Sequence, residues 1–259
     1  MTVHFVGAGP GAADLLTLRA AALLGAADVV LFPGTYLDDE VLSHCREDAR
    51  LVDTQDLDLD QIVGCLVAAH GDGLDAVRLT SGDPSLYSAL AEQTRRLDIA
   101  GVPWDVTPGV AAYASAAARI GRELTVPLVA QSVVLTRSQA RSTALPEGEE
   151  LRSFAATGAT LVLHLAITRT RELMAELAAY YGTDCPVAVV YRASQPNELV
   201  LRGTVADIAD LVEEAGLRQA AVIMVGRALD PSGGGESFLY DPARDRSTKR
   251  GVHTAPDDV

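Results

Sequence analysis

The sequence predicts an α/β protein built as two α/β domains with mainly parallel sheets. Three observations carry this expectation. Short β-branched runs alternate with longer stretches of helical period, the alternation occurs twice along the chain, and glycine-rich loops follow several of the runs. At 259 residues, 48 % hydrophobic and 22 % charged, the chain can bury a core in each of two domains of ordinary size.

In the first set, alternation marks strands at 2–6, 28–32, 75–80 and 103–108. Apolar residues spaced three and four apart mark helices between them at 14–26, 57–69 and 86–97. An alanine-rich segment, 110–120, leads to a second set of strands at 132–136, 159–165, 186–192, 198–203 and 220–226. The join falls near 119–126, which gives expected domains at 1–120 and 121–229. From residue 230 the text becomes DPSGGGESFLYDPARDRSTKRGVHTAPDDV, whose Gly, Ser, Pro and charge are those of a flexible tail.

Composition removes whole classes of function. A net charge of −14 and a pI near 4.7 argue against wrapping nucleic acid, which needs a basic surface. No apolar run reaches the length that spans a bilayer, and the N-terminus lacks a basic stretch followed by an apolar one, so a cytoplasmic protein is expected. Cys45, Cys65 and Cys185, and His4, His44, His70, His164 and His253, are scattered without metal-ligand or disulfide spacing, so no metal is expected. Of the 21 basic residues only Lys249 is a lysine. The arginines reflect either a general compositional bias or the use of a planar fork that suits carboxylates.

The opening MTVHFVGAGPGAADL spells G-x-G-x-x-[GA] through Gly7, Gly9 and Ala12, the fingerprint of a dinucleotide loop. A nicotinamide or flavin site also needs an acidic residue at the end of the second strand, where this chain has Val30, Leu31, Phe32 and Pro33. Pro10, in the loop itself, has no N–H to offer a phosphate. An NAD(P)-dependent oxidoreductase is therefore a distant alternative, as is a ligand-binding protein without catalysis. In RLTSGDPSLYSAL a strand ends at Thr80, Gly82 permits close approach, and Asp83-Pro84 reads as the cap and first residue of a helix. In TPGVAAYASAAA, Pro108-Gly109 again follows a strand. Ligands of open α/β sheets sit beyond the carboxyl ends of strands, so three such loops outline one side of a cleft.

GAGPG, SGDPSLYSA, VTPGVAAYASAAARIGRELTVP, VVLTRSQAR, ATLVLHLAIT, CPVAVVYRASQPNE and RQAAVIMVGRAL follow one another in this order over residues 3–229. This set resembles the tetrapyrrole methylase superfamily, and VVLTRSQAR and VAVVYRAS are closest to its members that methylate precorrin-4 at C-11. Where the superfamily has GPGDPEL this chain has GPGAADL, so Ala12 stands in place of a carboxylate. The resemblance implies S-adenosylmethionine, leaving as S-adenosylhomocysteine, in the cleft between two domains, and a tetrapyrrole as substrate in cobalamin synthesis. Another precorrin or uroporphyrinogen III is the alternative substrate. It also implies a homodimer.

By motif, the cofactor contacts would be Pro10, Ser81, Gly82, Asp83, Leu86, Ala111, Ala112, Leu165, Tyr191, Arg192, Ala193 and Ala221, with Asp83 a candidate electrostatic partner in catalysis. Methyl transfer from a sulfonium needs placement rather than an enzyme nucleophile or a metal. Because the tetrapyrrole is acidic and the protein is too, positive charge must be gathered locally. Arg137 and Arg141 in LTRSQAR are the leading candidates for carboxylate clamps, with Arg78, Arg119 and Arg122 beside them.

Overall fold

The computed structural model describes residues 1–244 apart from 35, 36, 38, 139–143, 231 and 233. The elements run β1 (Val3–Gly7), α1 (Leu18–Ala26), β2 (Val29–Phe32), α2 (Asp39–Leu42), β3 (Arg50–Asp53), α3 (Leu59–Gly71), β4 (Ala76–Thr80), α4 (Leu90–Ile99), β5 (Trp104–Thr107) and α5 (Ala112–Ile120). They continue as β6 (Val133–Arg137), α6 (Leu151–Ala155), β7 (Thr160–His164), α7 (Thr170–Tyr181), β8 (Pro186–Tyr191), β9 (Leu199–Thr204), α8 (Ile208–Glu214) and β10 (Ala221–Val225).

The first sheet has the order β3-β2-β4-β1-β5, and every pairing is parallel. Both of its faces are covered, which is why β1 and β4 read as nearly unbroken apolar runs. On one face Val3, Phe5 and Leu31 pack against Leu66 of α3 and Leu97 of α4. On the other, Val6, Val30 and Leu79 meet Leu24 of α1 and Val41 of α2. The order sets β4, β1 and β5 side by side, so the three glycine loops that follow them emerge at adjacent strand ends.

The second sheet, β6-β7-β10-β8-β9, corrects the expectation of parallel pairing there: only β6 and β7 run parallel, while β10 is antiparallel to β7 and β8, and β9 to β8. The reason lies in the connections. Residues 192–198 alone join β8 to β9, too short a link for a crossover helix, so the pair folds back as a hairpin. Helices α6, α7 and α8 cover one face through Leu151, Leu173, Leu177 and Ile208. The other face packs on Ala116, Ala117 and Ile120 of α5. That helix precedes the expected join near 119–126 and yet contributes its core face to the second sheet.

A second correction concerns the segment after β4. Asp83 caps no helix, because α4 begins only at Leu90. Tyr87 and Ala89 hold φ of +53° and +56°, which a right-handed helix excludes, and Ser85 and Gly109 take up the Asp83 carboxylate. Beyond β10, the Gly235 N–H donates to the Pro127 carbonyl at 3.1 Å, while Phe238 and Tyr240 stay exposed. No helix among the described residues is long and apolar enough to cross a membrane.

Candidate active site

The glycine loops are knit together before any ligand is considered. Gly9 and Gly82 exchange backbone hydrogen bonds of 3.2 and 2.7 Å. A side chain on Gly109 would strike the Gly82 carbonyl and the backbone of Gly7, so only glycine allows the loops after β1, β4 and β5 to meet. Asp83 fastens the contact: its Oδ2 accepts the Gly109 N–H at 2.8 Å, and its Oδ1 accepts the Ser85 N–H at 2.8 Å and the Ser85 hydroxyl. Burial opposes ionisation of this carboxyl, but the Ser85 and Gly109 donors outweigh it and hold the acid below the usual carboxylate range.

Facing these loops are the ends of β7 and β8 and the start of β10. Between the two sides lies a cavity of about 350 Å³, within the range of small-molecule sites. Pro10, Ser81, Gly82, Asp83, Leu86, Ala111, Ala112, Leu165, Arg192, Ala193 and Ala221 all line it, so eleven of the twelve residues singled out by motif come together. Tyr191 does not. Side chains alternate along a strand, and with Val190 and Arg192 turned to the cavity Tyr191 packs into the core beneath α6–α8. The sequence reading missed Tyr87, His164, Gln195 and Arg218, among others. An aromatic and a histidine beside two recognised motifs were the available signals.

Several contacts close the cavity from both sides. The Ala12 N–H donates to Ser194 Oγ at 3.0 Å, and Gln195 Nε2 donates to the Pro10 carbonyl at 3.3 Å. The rings of Tyr87 and His164 meet at 5.4 Å. Burial pushes the Tyr87 hydroxyl up, against the lowering effect of the nearby Arg137 cation, and burial pushes His164 down, which favours its neutral form. His164 Nε2 is enclosed without a hydrogen-bond partner. Of the seven non-glycine residues with positive φ among the described residues, four line the cavity: Tyr87, Leu165, Arg192 and Ala220. Such conformations concentrate at binding sites, where the surroundings force them.

The candidate clamps separate. Arg137 ends β6 in register with His164 and acts on Tyr87, which places its charge near the cavity. Arg141 lies outside the described residues. Arg119 forms an ion pair with Glu198, whose Oε2 accepts the Ser194 N–H at 2.7 Å, so this arginine steadies the β8–β9 loop. Arg122 donates from Nε to the Leu229 carbonyl at 3.1 Å and is a backbone tether. Arg78 is buried in the first sheet and does not line the cavity. Among the described residues no group of three or more His, Cys, Asp or Glu could hold a metal ion.

Fold and cavity together define a pair of α/β units with a cavity of small-molecule size between facing strand ends. The chain belongs to the tetrapyrrole (corrin/porphyrin) methylase family, whose sequence model matches residues 2–209. It is 54 % identical over 248 residues to a precorrin-4 C(11)-methyltransferase of Rhodococcus erythropolis, covering 96 % of this chain and all of that one. A cobalt-precorrin-4 C(11)-methyltransferase of Methanocaldococcus jannaschii is 36 % identical, with 92 % of each chain covered. Among solved structures, a cobalt precorrin-4 methyltransferase of cobalamin biosynthesis matches with a TM-score of 0.86 at 37 % identity, covering 89 % of this chain and 96 % of that one. A uroporphyrin-III C-methyltransferase of Thermus thermophilus in complex with S-adenosylhomocysteine matches with a TM-score of 0.76 at 28 % identity, covering 92 % and 97 %.

Proposed function

We propose that this protein transfers the methyl group of S-adenosylmethionine to C-11 of precorrin-4, or of its cobalt form, in cobalamin biosynthesis. One observation carries the reading: a single cavity gathers the cofactor motifs of a chain that is 54 % identical, over all of its relative's length, to a precorrin-4 C(11)-methyltransferase.

The walls fit the cofactor. The N-terminus of α5 opens on the cavity at Ala111 and Ala112 with no side-chain cap, so its free amides and dipole suit the methionyl carboxylate. Small residues, Gly82, Ala193 and Ala221, let a flat adenosyl group lie against backbone. When bound, S-adenosylmethionine supplies a methyl group already activated on a sulfonium, so no covalent enzyme intermediate is needed. The chain's contribution is placement, worth on the order of 7–11 kcal/mol for well-aligned reactants. Asp83 serves as a positioning residue that keeps the loops after β4 and β5 in contact, and Arg137 stands where it can attract an acidic macrocycle.

Incubation with precorrin-4 or cobalt-precorrin-4 and isotopically labelled cofactor, followed by locating the new methyl, tests this reading. Label at another carbon, or on uroporphyrinogen III alone, overturns the substrate assignment. We further propose two domains, 1–120 and 121–229, clasped by α5, with a tail from 230, and a cytoplasmic homodimer. Limited proteolysis, sedimentation and fractionation of the native cell test these three points.

A further inference from the structure

The first sheet holds one charged side chain in its interior. Arg78 on β4 is 8 % exposed and is the only charged residue buried among the described residues. In register beside it lie Phe5 of β1 and Leu31 of β2, both fully buried. Among the described residues no carboxylate meets it: Nε donates to Gln93 Oε1 at 3.3 Å, and Nη1 donates to Thr54 Oγ1 at 3.3 Å and to the Leu79 carbonyl at 3.0 Å. Burial lowers the guanidinium to about 10, which leaves it cationic at neutral pH.

An isolated charge is costly to bury, and folds normally pair it. Here three neutral acceptors take three of the five N–H donors of the fork. Nη2 makes no hydrogen bond to a described residue, yet it is not fully enclosed, since among the described residues His164 Nε2 is the only enclosed side-chain nitrogen or oxygen left without a partner. The guanidinium is thus clamped through Nε and Nη1, with the donors of Nη2 left over among the described residues. The guanidinium sits at the carboxyl end of the sheet, because Nη1 bonds Thr54, which directly follows β3, and Arg78 stands three residues before Ser81 of the cavity. The clamp is also tied to the cavity loop, for Gln93 Nε2 donates to the Ser88 and Ala89 carbonyls at 3.3 and 3.1 Å.

We propose that Arg78 anchors the substrate by binding one of its carboxylate side chains through Nη2 at the carboxyl edge of the first sheet. The assignment rests on the tetrapyrrole reading above and names one of its grips. A fork held rigid in a low-dielectric setting binds a carboxylate more strongly than an exposed arginine can, and it loses little side-chain freedom in doing so.

Arg78→Gln and Arg78→Lys test it, through steady-state kinetics with precorrin-4, calorimetry with S-adenosylmethionine, and thermal melting. With Gln the KM for the tetrapyrrole is expected to rise about tenfold or more, as for a lost charge-assisted hydrogen bond. Cofactor affinity should be unchanged and Tm equal or higher, because an unpaired buried charge has been removed. Lys, which keeps the charge without the fork, should fall between. A folded Gln variant with native KM overturns the assignment, and so does a drop in Tm with parallel loss of cofactor binding, which would make Arg78 a structural strut. Should the Gln variant not fold, Arg78→Lys decides: a raised KM with native cofactor affinity supports the anchor, and a native KM overturns it. Wild-type protein inactive on both precorrin-4 and cobalt-precorrin-4 sinks the proposed reaction and this assignment with it, a failure visible before any substitution is made.

Discussion

The two walls of the cavity bend their backbones by opposite means. On the first sheet's side the loops meet through glycines, with Gly9 and Gly82 at φ of +74° and +71° and Gly109 packed where no side chain fits, although Tyr87 and Ala89 further along hold positive φ with side chains in place. On the second sheet's side Leu165, Arg192, Ser194 and Ala220 hold φ of +52°, +46°, +67° and +53° with their side chains in place. For an L residue that conformation costs roughly 1–2 kcal/mol. It persists because partners enforce it: the Arg192 N–H bonds the Ala220 carbonyl at 2.8 Å, and the Ser194 N–H bonds Glu198, which Arg119 holds in turn. The glycine wall is shaped by what is missing and at Gly7 and Gly109 tolerates no addition. The opposite wall is shaped by its partners and fails when they are removed.

Breaking the glycine wall should have the largest effect. Gly109→Val drives a side chain into the Gly82 carbonyl and the Gly7 backbone, and overpacking of this kind costs about 3 kcal/mol or more, with cofactor binding lost. Urea unfolding and calorimetry measure both, and a variant of native stability would show that the three loops separate freely. Asp83→Ala is next. It leaves the Gly109 amide without its acceptor and frees Ser85, for an expected loss of about 2 kcal/mol, the scale of hydrogen bonds to a charged group. Cofactor affinity should fall with stability in this variant, since the residue acts by positioning. If affinity falls while stability stays native, Asp83 instead touches the ligand directly.

The same contrast explains what could be read from the sequence. The glycine loops were legible because Gly, Pro and Asp carry their conformational meaning locally, and because β-branched runs ahead of them mark strand ends. Positive φ at Leu165, Arg192 and Ala220 is written in no residue type; it comes from partners distant in the chain. Arg119 and Arg122 looked free for a ligand for the same reason, as Glu198 lies 79 residues on and Leu229 lies 107 residues on. Asp83-Pro84 has the form of a helix start, but its carboxylate is drawn away by Gly109, 26 residues later. Strand direction in the second sheet depends on the length of the connections, which the alternation of apolar residues does not record. Motif resemblance gathers residues that line one cavity because motifs carry the outcome of long-range contacts, and Tyr191 falls outside the lining because a motif names neighbours on both faces of a strand.

His164 offers a smaller test on the second wall. Burial holds its folded pKa below the ordinary value, so on acidification the unfolded chain takes up a proton that the native imidazole refuses. The native state therefore loses stability as pH falls below about 6.5, by at most about 1.4 kcal/mol per pH unit. His164→Leu should be less sensitive than wild type between pH 7.5 and 5.5, to an extent on the order of 1 kcal/mol, while the other histidines contribute equally to both proteins. Equal slopes in urea titrations at the two pH values would mean that His164 is protonated in the fold.

The finest test replaces strain by permission. Ala220 sits at φ +53° in the turn that opens β10, with its carbonyl held by Arg192, and its side chain is a single methyl. Ala220→Gly relieves a conformational cost of roughly 1–2 kcal/mol but frees the unfolded chain by about 0.5–1 kcal/mol, so a net gain between zero and about 1 kcal/mol is expected. Affinity for S-adenosylmethionine should nevertheless fall, by about threefold for a loss of some 0.7 kcal/mol, because glycine lets the wall relax away from the shape that its partners impose and the ligand must restore it. The mirror substitution, Gly82→Ala at φ +71°, has room for the methyl, with Ala112 N the nearest atom at 3.6 Å, and so it reads the same strain in reverse. It should lose about 1 kcal/mol of stability. If Ala220→Gly destabilises and Gly82→Ala does not, the two walls are not built on opposite principles, and the strain on the second side is a property of its turns alone.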